Sequence, residues 1–372
     1  MRRALGLIVN PVAGIGGRVG LKGSDGAEIQ QLAWSLGARP ASFERTCQTL
    51  ERLVADKDSI EIIAYPGEMG EGAARACGFE PTVIGSIKPG QTTAEDTRRA
   101  ARELRGMDSC LILFTGGDGT ARDVADAVGD SVPVLGIPAG VKIHSAAYAT
   151  SPASAGELAS RYLRGEILGL RQAEVMDLDE AAYREGVIAP KLYGYLKVPY
   201  EKRLLQGRKS PSRLDESGTL EAIALDVIDH MQEDIVYIVG PGTTTRPILS
   251  RLGLEKTLIG VDVIQGRRLL AADANEAVLL DLLGDQRAKI VVTPVGGQGY
   301  ILGRGNQQIS PAVLRKVGRD NLIVVSTAEK IHALRGRPLL VDSGDPEVDR
   351  LLSGYVKVIS GYGERIVYRV ST

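Results

Sequence analysis

One segment decides the fold of this chain: Leu111-Ile112-Leu113-Phe114-Thr115-Gly116-Gly117-Asp118-Gly119-Thr120. The apolar run over 109–114 predicts a buried parallel strand, and a helical pattern over 121–128 follows the glycines. Glycine lets backbone N–H groups approach an anion closely, and a helix that begins there also favours phosphate. We therefore predict a phosphate-binding loop made by Gly116, Gly117, Gly119 and Thr120.

Asp118 is the only acid inside this loop. A carboxylate at the carboxyl end of a parallel strand can accept a hydroxyl proton or orient a phosphate-bound Mg²⁺ ion. The alternative is a tight strand–helix turn in which Asp118 caps the helix. The Gly-Gly-Asp-Gly-Thr pattern favours the first interpretation.

Outward from this segment, residues 1–150 alternate between short apolar runs and helical patterns. Strands are expected over 4–9, 61–65 and 132–137, and Thr93 with Asp96 predicts the capped start of a helix. This alternation indicates an α/β fold whose first domain, 1–150, is a Rossmann-like parallel sheet covered by helices.

The remainder of the chain shows two different sequence patterns. Residues 151–217 form a β-rich connecting segment in which 174–178, 183–188 and 193–198 alternate like antiparallel strands. From 218 to 372 the αβ alternation resumes, which predicts a second α/β domain. Strands are expected there over 234–239, 257–264, 289–293, 321–326, 338–341 and 355–359. Helices are expected over 220–231, 246–252, 276–283 and 311–317.

Composition excludes several classes of protein. The 372 residues carry a formal net charge of −1, which argues against a broad nucleic-acid footprint. Three cysteines and three histidines are too few and too scattered for a disulfide framework or a protein-built metal site. No apolar run approaches the ~18 residues of a membrane helix. We expect a cytoplasmic protein that forms a homo-oligomer and binds neither nucleic acid nor membrane.

Three segments together resemble one kinase superfamily. The loop 116–120 resembles the hallmark loop of NAD kinases and of diacylglycerol and sphingosine kinases. Asn10-Pro11-Val12-Ala13-Gly14-Ile15-Gly16-Gly17 resembles the opening of the lipid-kinase branch, and 134–145 lies where NAD kinases carry Leu-Gly-Ile-Asn-x-Gly. Order and spacing match over the first ~150 residues. The chain is most similar to the ATP-NAD kinase-like group that includes the acetoin-catabolism protein X.

The resemblance implies a kinase that lacks a Walker-type loop. It gives Asp118 the catalytic role at the acceptor hydroxyl, and it gives nucleotide or phosphate binding to Asn10, Gly14, Gly16, Gly17, Gly116, Gly117, Gly119 and Thr120. ATP is then the phosphoryl donor, with Mg²⁺ or a similar cation carried by its phosphates. The ribose 2′-hydroxyl of NAD is the acceptor.

The chain departs from the family pattern in the segment 134–145. Ile137-Pro138-Ala139-Gly140 replaces Ile-Asn-x-Gly, so an asparagine contact of standard NAD kinases is lost. Gly140 and Lys142 are candidate phosphate contacts, although Lys142 could equally be a solvated lysine. His144 is a candidate substrate contact, with a satisfied core histidine as the favoured alternative.

A second departure lies in the C-terminal half, where standard NAD kinases have a β-rich domain. The candidate counterparts of their substrate-binding residues are Asn275 and Glu276, although a helix start explains that dipeptide slightly better. The loop Pro241-Gly242-Thr243-Thr244-Thr245 is the candidate counterpart of their Gly-Ser-Thr-Ala segment. It follows a strand and leads into a helix, so Gly242, Thr243 and Thr244 could hold phosphate or ribose, with a plain turn and an N-cap as an equal alternative.

A glycine cluster over 293–307 is the last candidate region. Glycine weakens ordered elements, and a ligand that approaches the backbone would explain the cluster. The alternative is a glycine-rich bulge, and the first interpretation is favoured. We expect Gly296, Gly297, Gly299, Arg304 and Asn306 to contact nucleotide or phosphate, Arg304 through two parallel hydrogen bonds.

The leading hypothesis is an ATP-dependent kinase that converts NAD to NADP. The alternatives are a kinase for another hydroxyl metabolite or a lipid, and a nucleotide-binding sensor that has lost turnover.

Overall fold

The computed structural model describes residues 2–21, 27–141, 143–167, 169–178, 190–201, 217–257, 259–295 and 297–372. The chain divides into two compact units. Unit 1 comprises Met1–Ile15 with Gly23–Arg208, and unit 2 comprises Gly16–Lys22 with Lys209–Thr372. The division of the sequence into segments 1–150, 151–217 and 218–372 stays a prediction.

Unit 1 is built on a parallel sheet. Its strands are Arg3–Val9 (β1), Ile60–Ala64 (β2), Thr82–Val83 (β3), Leu111–Gly116 (β4), Val134–Pro138 (β5), Leu170–Leu178 (β6) and Pro190–Pro199 (β7). Among the described residues, β1 to β5 form one parallel sheet in the order β3-β2-β1-β4-β5, and β6 pairs antiparallel with β7. Because the strand order reverses between β1 and β4, the loops after these strands diverge and leave a crevice at their carboxyl ends.

Helices cover both faces of this sheet. They are Ala27–Ser35 (α1), Ser42–Leu50 (α2), Glu71–Ala76 (α3), Ala94–Gly106 (α4), Asp118–Val128 (α5) and Pro152–Leu163 (α6), with 3₁₀ turns at Glu51–Asp56 and Gly67–Met69. Every residue of β4 is buried, as its apolar sequence predicts. The predicted capping box is present at α4, where the side chains of Thr93 and Asp96 bond each other's backbone N–H groups.

Unit 2 contains a second α/β sheet. Its strands are Val236–Val239 (β8), Asp262–Gln265 (β9), Arg268–Ala271 (β10), Ala288–Val292 (β11), Tyr300–Leu302 (β12), Leu322–Val325 (β13), Leu339–Val341 (β14), Gly354–Gly361 (β15) and Glu364–Ser371 (β16). Its helices are Ser217–Asp229 (α7), Arg246–Arg251 (α8), Glu276–Leu283 (α9), Pro311–Val317 (α10), Ala328–Ala333 (α11) and Pro346–Leu352 (α12), with a 3₁₀ turn at Arg319–Asn321.

The strands of this sheet run in the order β10-β9-β8-β11-β13-β15-β16-β14-β12 within the described residues. β8, β11, β13 and β15 are parallel neighbours, and β16 turns back antiparallel to β15. Alternate residues of β8 enter different apolar clusters, because side chains along a strand point to opposite faces. The last strands of the chain, β15 and β16, lie in the sheet of unit 2. The expected α/β fold, with a parallel sheet in the N-terminal part and a second sheet after it, is confirmed.

Several expected bounds were wrong. β6 begins at Leu170 rather than at 174, β8 begins at Val236 rather than at 234, and α7 spans Ser217–Asp229 rather than 220–231. Two further differences have a cause that the structure shows. The helix after the glycine loop begins at Asp118 rather than at 121, because the Ala121 amide already donates to the Gly117 carbonyl. The strand expected over 257–264 is shorter, since β9 begins at Asp262. The Asp262 carboxylate accepts hydrogen bonds from the amide and hydroxyl of Thr257, which engages these two residues outside a strand ladder.

Two other expectations concern residues 183–188 and membrane helices. The strand expected over 183–188 lies outside the described residues. None of the helices in the described ranges is long and apolar enough to cross a membrane.

Candidate active site

The site begins where β4 ends and α5 starts. Gly117 is the extended N-cap residue of α5, so Asp118, Gly119 and Thr120 form its first turn. The first amides of an α-helix have no acceptor inside the helix, and no side chain of the described residues caps this one. These amides are therefore available to an anion.

Three loops meet at this edge of the sheet, one after each of β1, β4 and β5. Asn10 Nδ2 donates to Thr120 Oγ1 at 2.9 Å, which joins the first loop to the second. A Cβ atom at Gly14, where φ is +79°, would lie 2.2 Å from the Ala139 carbonyl oxygen. The first and third loops therefore touch backbone to backbone, and only glycine fits at position 14.

The second and third loops also touch through their backbones. A Cβ atom on Gly140 would lie 2.6 Å from the Gly117 Cα atom. The Tyr148 hydroxyl donates to the Gly117 carbonyl at 2.5 Å, while its ring packs edge-on against Phe114. The predicted phosphate residues of unit 1 that the structure describes are thereby held in one place.

Asp118 is held by the third loop. Its Oδ2 accepts from the His144 amide at 2.8 Å and its Oδ1 from the Ser145 amide at 3.0 Å. The His144 ring nitrogen Nδ1 lies 3.4 Å from Oδ2, and both side chains are at least nine-tenths buried. A carboxylate accepts about four hydrogen bonds in all, so each oxygen keeps a lone pair for a further proton.

Residues that the sequence did not single out support this arrangement from α2. The Arg45 guanidinium donates to the Pro138 carbonyl at 3.0 Å, and the hydroxyls of Thr46 and Thr115 are 2.7 Å apart. Both contacts join residues more than 60 positions apart. The sequence carries no local signal for such long-range contacts.

A cavity of about 280 Å³ adjoins the glycine loop in unit 1. Polar groups from four elements line it, including Asn10, Thr93, Gly119, Thr120 and Arg122. Asp123 also lines the cavity, and its carboxylate forms an ion pair with Arg98 at 2.6 Å. Asp118 is not among the lining residues, because its side chain turns to the loop 143–145.

The predicted residues of unit 2 between Gly242 and Asn306 lie in four places. Thr244 follows β8, and its hydroxyl accepts from Lys330 Nζ at 2.7 Å, with Gly242 and Thr243 beside it in the same loop. Gly297 and Gly299 lie between β11 and β12, where the Gly297 carbonyl accepts from Arg337.

Arg304 and Asn306 lie beyond β12. Arg304 is buried, with its guanidinium 4.7 Å from the Tyr300 ring centre and 3.3 Å from the Asp342 carboxylate. Asn306 ties its own loop together, accepting from the Gly303 amide and donating to the Ile301 carbonyl. Their contact with a ligand stays a prediction.

Asn275 is the N-cap of α9, and its side chain accepts from the Val278 amide at 3.0 Å. The helix-start interpretation of this dipeptide thus has a structural basis. The Glu276 amide donates to the Arg18 carbonyl, which lies in the same part of unit 2 as Gly16 and Gly17. Lys142 and Gly296 lie outside the described residues.

Two family models match this chain. The N-terminal domain of ATP-NAD kinase matches residues 5–167, and the C-terminal domain of ATP-NAD kinase matches residues 232–370. No curated protein matches the chain significantly.

Two solved structures, each described as a diacylglycerol kinase from Bacillus anthracis str. Sterne, match part of it. The first is 14% identical over 48% of this chain and 46% of its own, with a TM-score of 0.27. The second is 15% identical over 48% of this chain and 43% of its own, with a TM-score of 0.24. This chain thus spans less than half the length of either, and TM-scores this low bear on neither fold nor function.

Proposed function

Because the chain belongs to the ATP-NAD kinase family, we propose that it transfers the γ-phosphoryl group of ATP to the 2′-hydroxyl of NAD. The proposal rests on one observation above all. Three loops at the switch point of a parallel sheet hold glycine backbones, free helix amides and a carboxylate together beside a cavity. Crevices at such switch points are where open α/β sheets bind their ligands.

The amides at the start of α5 hold the phosphates of ATP. They carry the positive end of the helix dipole, and Gly119 and Thr120 line the cavity. Asn10 fixes the Thr120 hydroxyl, so that this wall of the cavity is set before the nucleotide binds. Preorganised donors of this kind are the main source of catalysis in phosphoryl transfer.

Asp118 is the group that accepts the proton. The 2′-oxygen attacks the γ-phosphorus in line, the bond to the β–γ bridging oxygen breaks, ADP leaves, and the hydroxyl proton passes to Asp118. The two amide bonds from His144 and Ser145 fix the direction of the carboxylate. The His144 ring nitrogen Nδ1, 3.4 Å from Asp118 Oδ2, is the nearest imidazole to which this proton then passes.

Mg²⁺ enters with ATP as part of the substrate. Among the described residues, no group of three or more His, Cys, Asp or Glu side chains is arranged to hold a metal ion. Asp123, which lines the cavity, already pairs with Arg98. The phosphate oxygens are therefore the main ligands of the ion, which offsets their charge as the transferring group moves.

A different acceptor is the second candidate, and Pro138 favours it. Standard members of the family carry an asparagine at this position, and Pro138 offers only a carbonyl, which Arg45 already bonds. The same phosphoryl transfer would then act on another hydroxyl metabolite or on a lipid. A third candidate, a sensor that binds nucleotide without turnover, keeps the same loops.

The test is ADP release from Mg-ATP with a panel of acceptors headed by NAD. The wild-type chain is compared with Asp118→Asn and with Asp58→Asn, an exposed residue of the same unit that controls for the loss of one charge. We expect NADP to form and the rate to fall by about 10²–10⁴-fold in Asp118→Asn alone, the range for general-base catalysis.

Other outcomes separate the candidates. ADP release with a different acceptor, again lost in Asp118→Asn, moves the assignment to that acceptor. Binding of ATP with no ADP release for any acceptor supports the sensor. Equal rates for Asp118→Asn and the wild type remove Asp118 from the mechanism.

A further inference from the structure

A second edge of parallel strands in unit 2 gathers donor groups that the proposed kinase site does not use. β8, β11 and β13 are neighbours that run in the same direction, so their carboxyl ends lie at one edge of the sheet. The residues after these strands are rich in hydroxyl groups: Thr243, Thr244, Thr245, Thr293, Ser326 and Thr327. Such edges are where α/β sheets bind ligands.

Direct contacts join the loops at this edge. A Cβ atom at Gly242 would lie 2.8 Å from the Cγ2 atom of Thr293, so the loop after β8 lies against the end of β11. Lys330, on the helix after β13, donates from Nζ to the Thr244 hydroxyl at 2.7 Å. The lysine ammonium and the two threonines thus converge from three separate strands.

The Thr293 hydroxyl points most directly to a ligand. Its oxygen is buried and has no hydrogen-bond partner among the described residues. A buried hydroxyl without a partner is costly, and folded proteins rarely keep one without a reason. A bound group that accepts its proton would supply the missing bond.

The backbone of the loop after β8 offers further donors. Within the described part of the chain, no oxygen accepts a hydrogen bond from the amides of Gly242, Thr243 or Thr244. Gly242 has φ +131°, a backbone conformation that side chains rarely adopt. Consecutive free amides next to a lysine and hydroxyls form an arrangement of donors that suits a phosphate group.

We propose that the carboxyl edge of β8, β11 and β13 binds a phosphate group, with Lys330 supplying the charge and Thr293 and the 242–244 amides supplying neutral donors. This goes beyond the proposed kinase reaction, because neither the glycine loop 116–120 nor Asp118 takes part. The group belongs either to a nucleotide or to free phosphate. It enters without any covalent step.

Equilibrium dialysis with inorganic phosphate, AMP and adenosine tests the proposal. The Lys330→Met variant is compared with wild type and with Lys316→Met, which removes one exposed charge from α10. We expect one phosphate-dependent binding site per chain to weaken by about tenfold to a hundredfold in Lys330→Met alone, the range for hydrogen bonds to charged groups. Adenosine, which lacks phosphate, is expected to bind both lysine variants and wild type alike.

The binding data for inorganic phosphate and AMP distinguish free phosphate from a nucleotide as the ligand. Weakened binding of both inorganic phosphate and AMP shows that the phosphate group suffices, and weakened binding of AMP alone shows that a nucleotide is required. Unchanged binding of both in Lys330→Met overturns the proposal. All of these binding measurements are repeated in the Asp118→Asn background. Because they do not depend on turnover, their result can be interpreted even if the proposed kinase reaction proves wrong.

A second variant covers the case in which Lys330→Met fails to fold. Thr293→Val keeps the shape of the side chain and removes the hydroxyl without a partner. We expect its thermal midpoint without ligand to equal or exceed that of wild type, while the midpoint shift caused by phosphate or AMP becomes smaller. A threonine with a purely structural role would leave the ligand-induced shift unchanged, and that result would contradict the assignment.

Discussion

The two edges of parallel strands are built from similar loops but carry different chemistry. In unit 1, the loops after β1, β4 and β5 surround the Asp118 carboxylate with glycine backbones and amides. In unit 2, the loops after β8, β11 and β13 bring threonine hydroxyls to the Lys330 ammonium. A carboxylate can take a proton from a hydroxyl, whereas an ammonium ion and hydroxyls hold an anion. The two proposals therefore give the bond-making step to unit 1 and a holding role to unit 2.

The largest effect on stability is expected where two loop backbones touch in unit 1. Gly140→Ala puts a Cβ atom 2.6 Å from the Gly117 Cα atom, and a backbone atom cannot rotate away as a side chain can. We expect the free energy of unfolding to fall by about 3 kcal/mol, the upper part of the range for overpacking, and turnover to be lost with the displaced loop. Urea denaturation and ADP release measure the two effects.

A close glycine contact in unit 2, between Gly242 and a side chain, can be compared with the backbone contact at Gly140. Gly242→Ala meets the Thr293 methyl group, so Thr293→Ser in the same chain should restore part of the lost stability. Gly106→Ala is the control, because nothing lies near its Cβ position. A Gly140→Ala variant as stable as Gly106→Ala would show that the loops of unit 1 are not in contact.

Asn10 tests how the wall of the unit 1 cavity is built. Asn10→Ala loses the bond to Thr120 and the bond from the Val12 amide, which should cost about 2 kcal/mol of stability for two net hydrogen bonds. Asn10→Asp keeps an acceptor for Val12 and can accept from the Thr120 hydroxyl, but its charge repels phosphate. We expect Asn10→Asp to retain stability and to bind ATP at least tenfold more weakly, as measured by calorimetry. Equal ATP affinity in all three proteins would remove Asn10 from the nucleotide site.

The parts of the fold that were predicted carry local signals. The bounds of α9 and α10 agree with the expected 276–283 and 311–317, because each helix has a capping side chain before it and a glycine after it. The strand–glycine–helix segment of β4 and α5 follows from the same kind of local pattern. Burial, capping and turn chemistry act over a few residues, so the sequence shows them directly.

The sequence did not reveal the side chains that hold the loops of the two proposed sites in place, and the reason is physical. Tyr148, Arg45 and Lys330 reach partners 31, 93 and 86 residues away. Such pairs are brought together by the tertiary fold, and a single sequence holds no periodicity that marks them. The shortened β9 has the same origin, because the carboxylate of Asp262 competes with strand formation for Thr257.

Acidity should weaken unit 2 through one buried carboxylate. Burial alone would raise the pKa of Asp226, but the Arg365 guanidinium and the Gly363 amide outweigh it and hold the pKa below its usual value. The ionised form therefore stabilises the fold at neutral pH, and this contribution is lost as pH falls below about 4 towards the lowered folded pKa.

The variant Asp226→Asn isolates this contribution. We expect it to lose about 1.5 kcal/mol at neutral pH, the lower part of the range for hydrogen bonds to charged groups, and to show a flatter dependence of stability on acid. Hydrogen exchange of α7 and β15 at several pH values gives the measurement. The α5 amides of unit 1 serve as an internal reference, and parallel acid slopes for variant and wild type would contradict the assignment.

The smallest effects come from one helix cap in each unit, and they decide between two roles of Asn275. Thr93→Ala and Asn275→Ala each remove a cap and should cost about 1 kcal/mol. Because Thr93 lines the cavity, only its variant is expected to weaken ATP binding as well.

Asn275→Asp keeps an oxygen for the Val278 amide but loses the side-chain NH₂ group. If this variant keeps both stability and the KM for NAD, the cap accounts for Asn275. If stability holds while KM rises tenfold or more, Asn275 binds the acceptor, and the holding role of unit 2 extends beyond its phosphate edge.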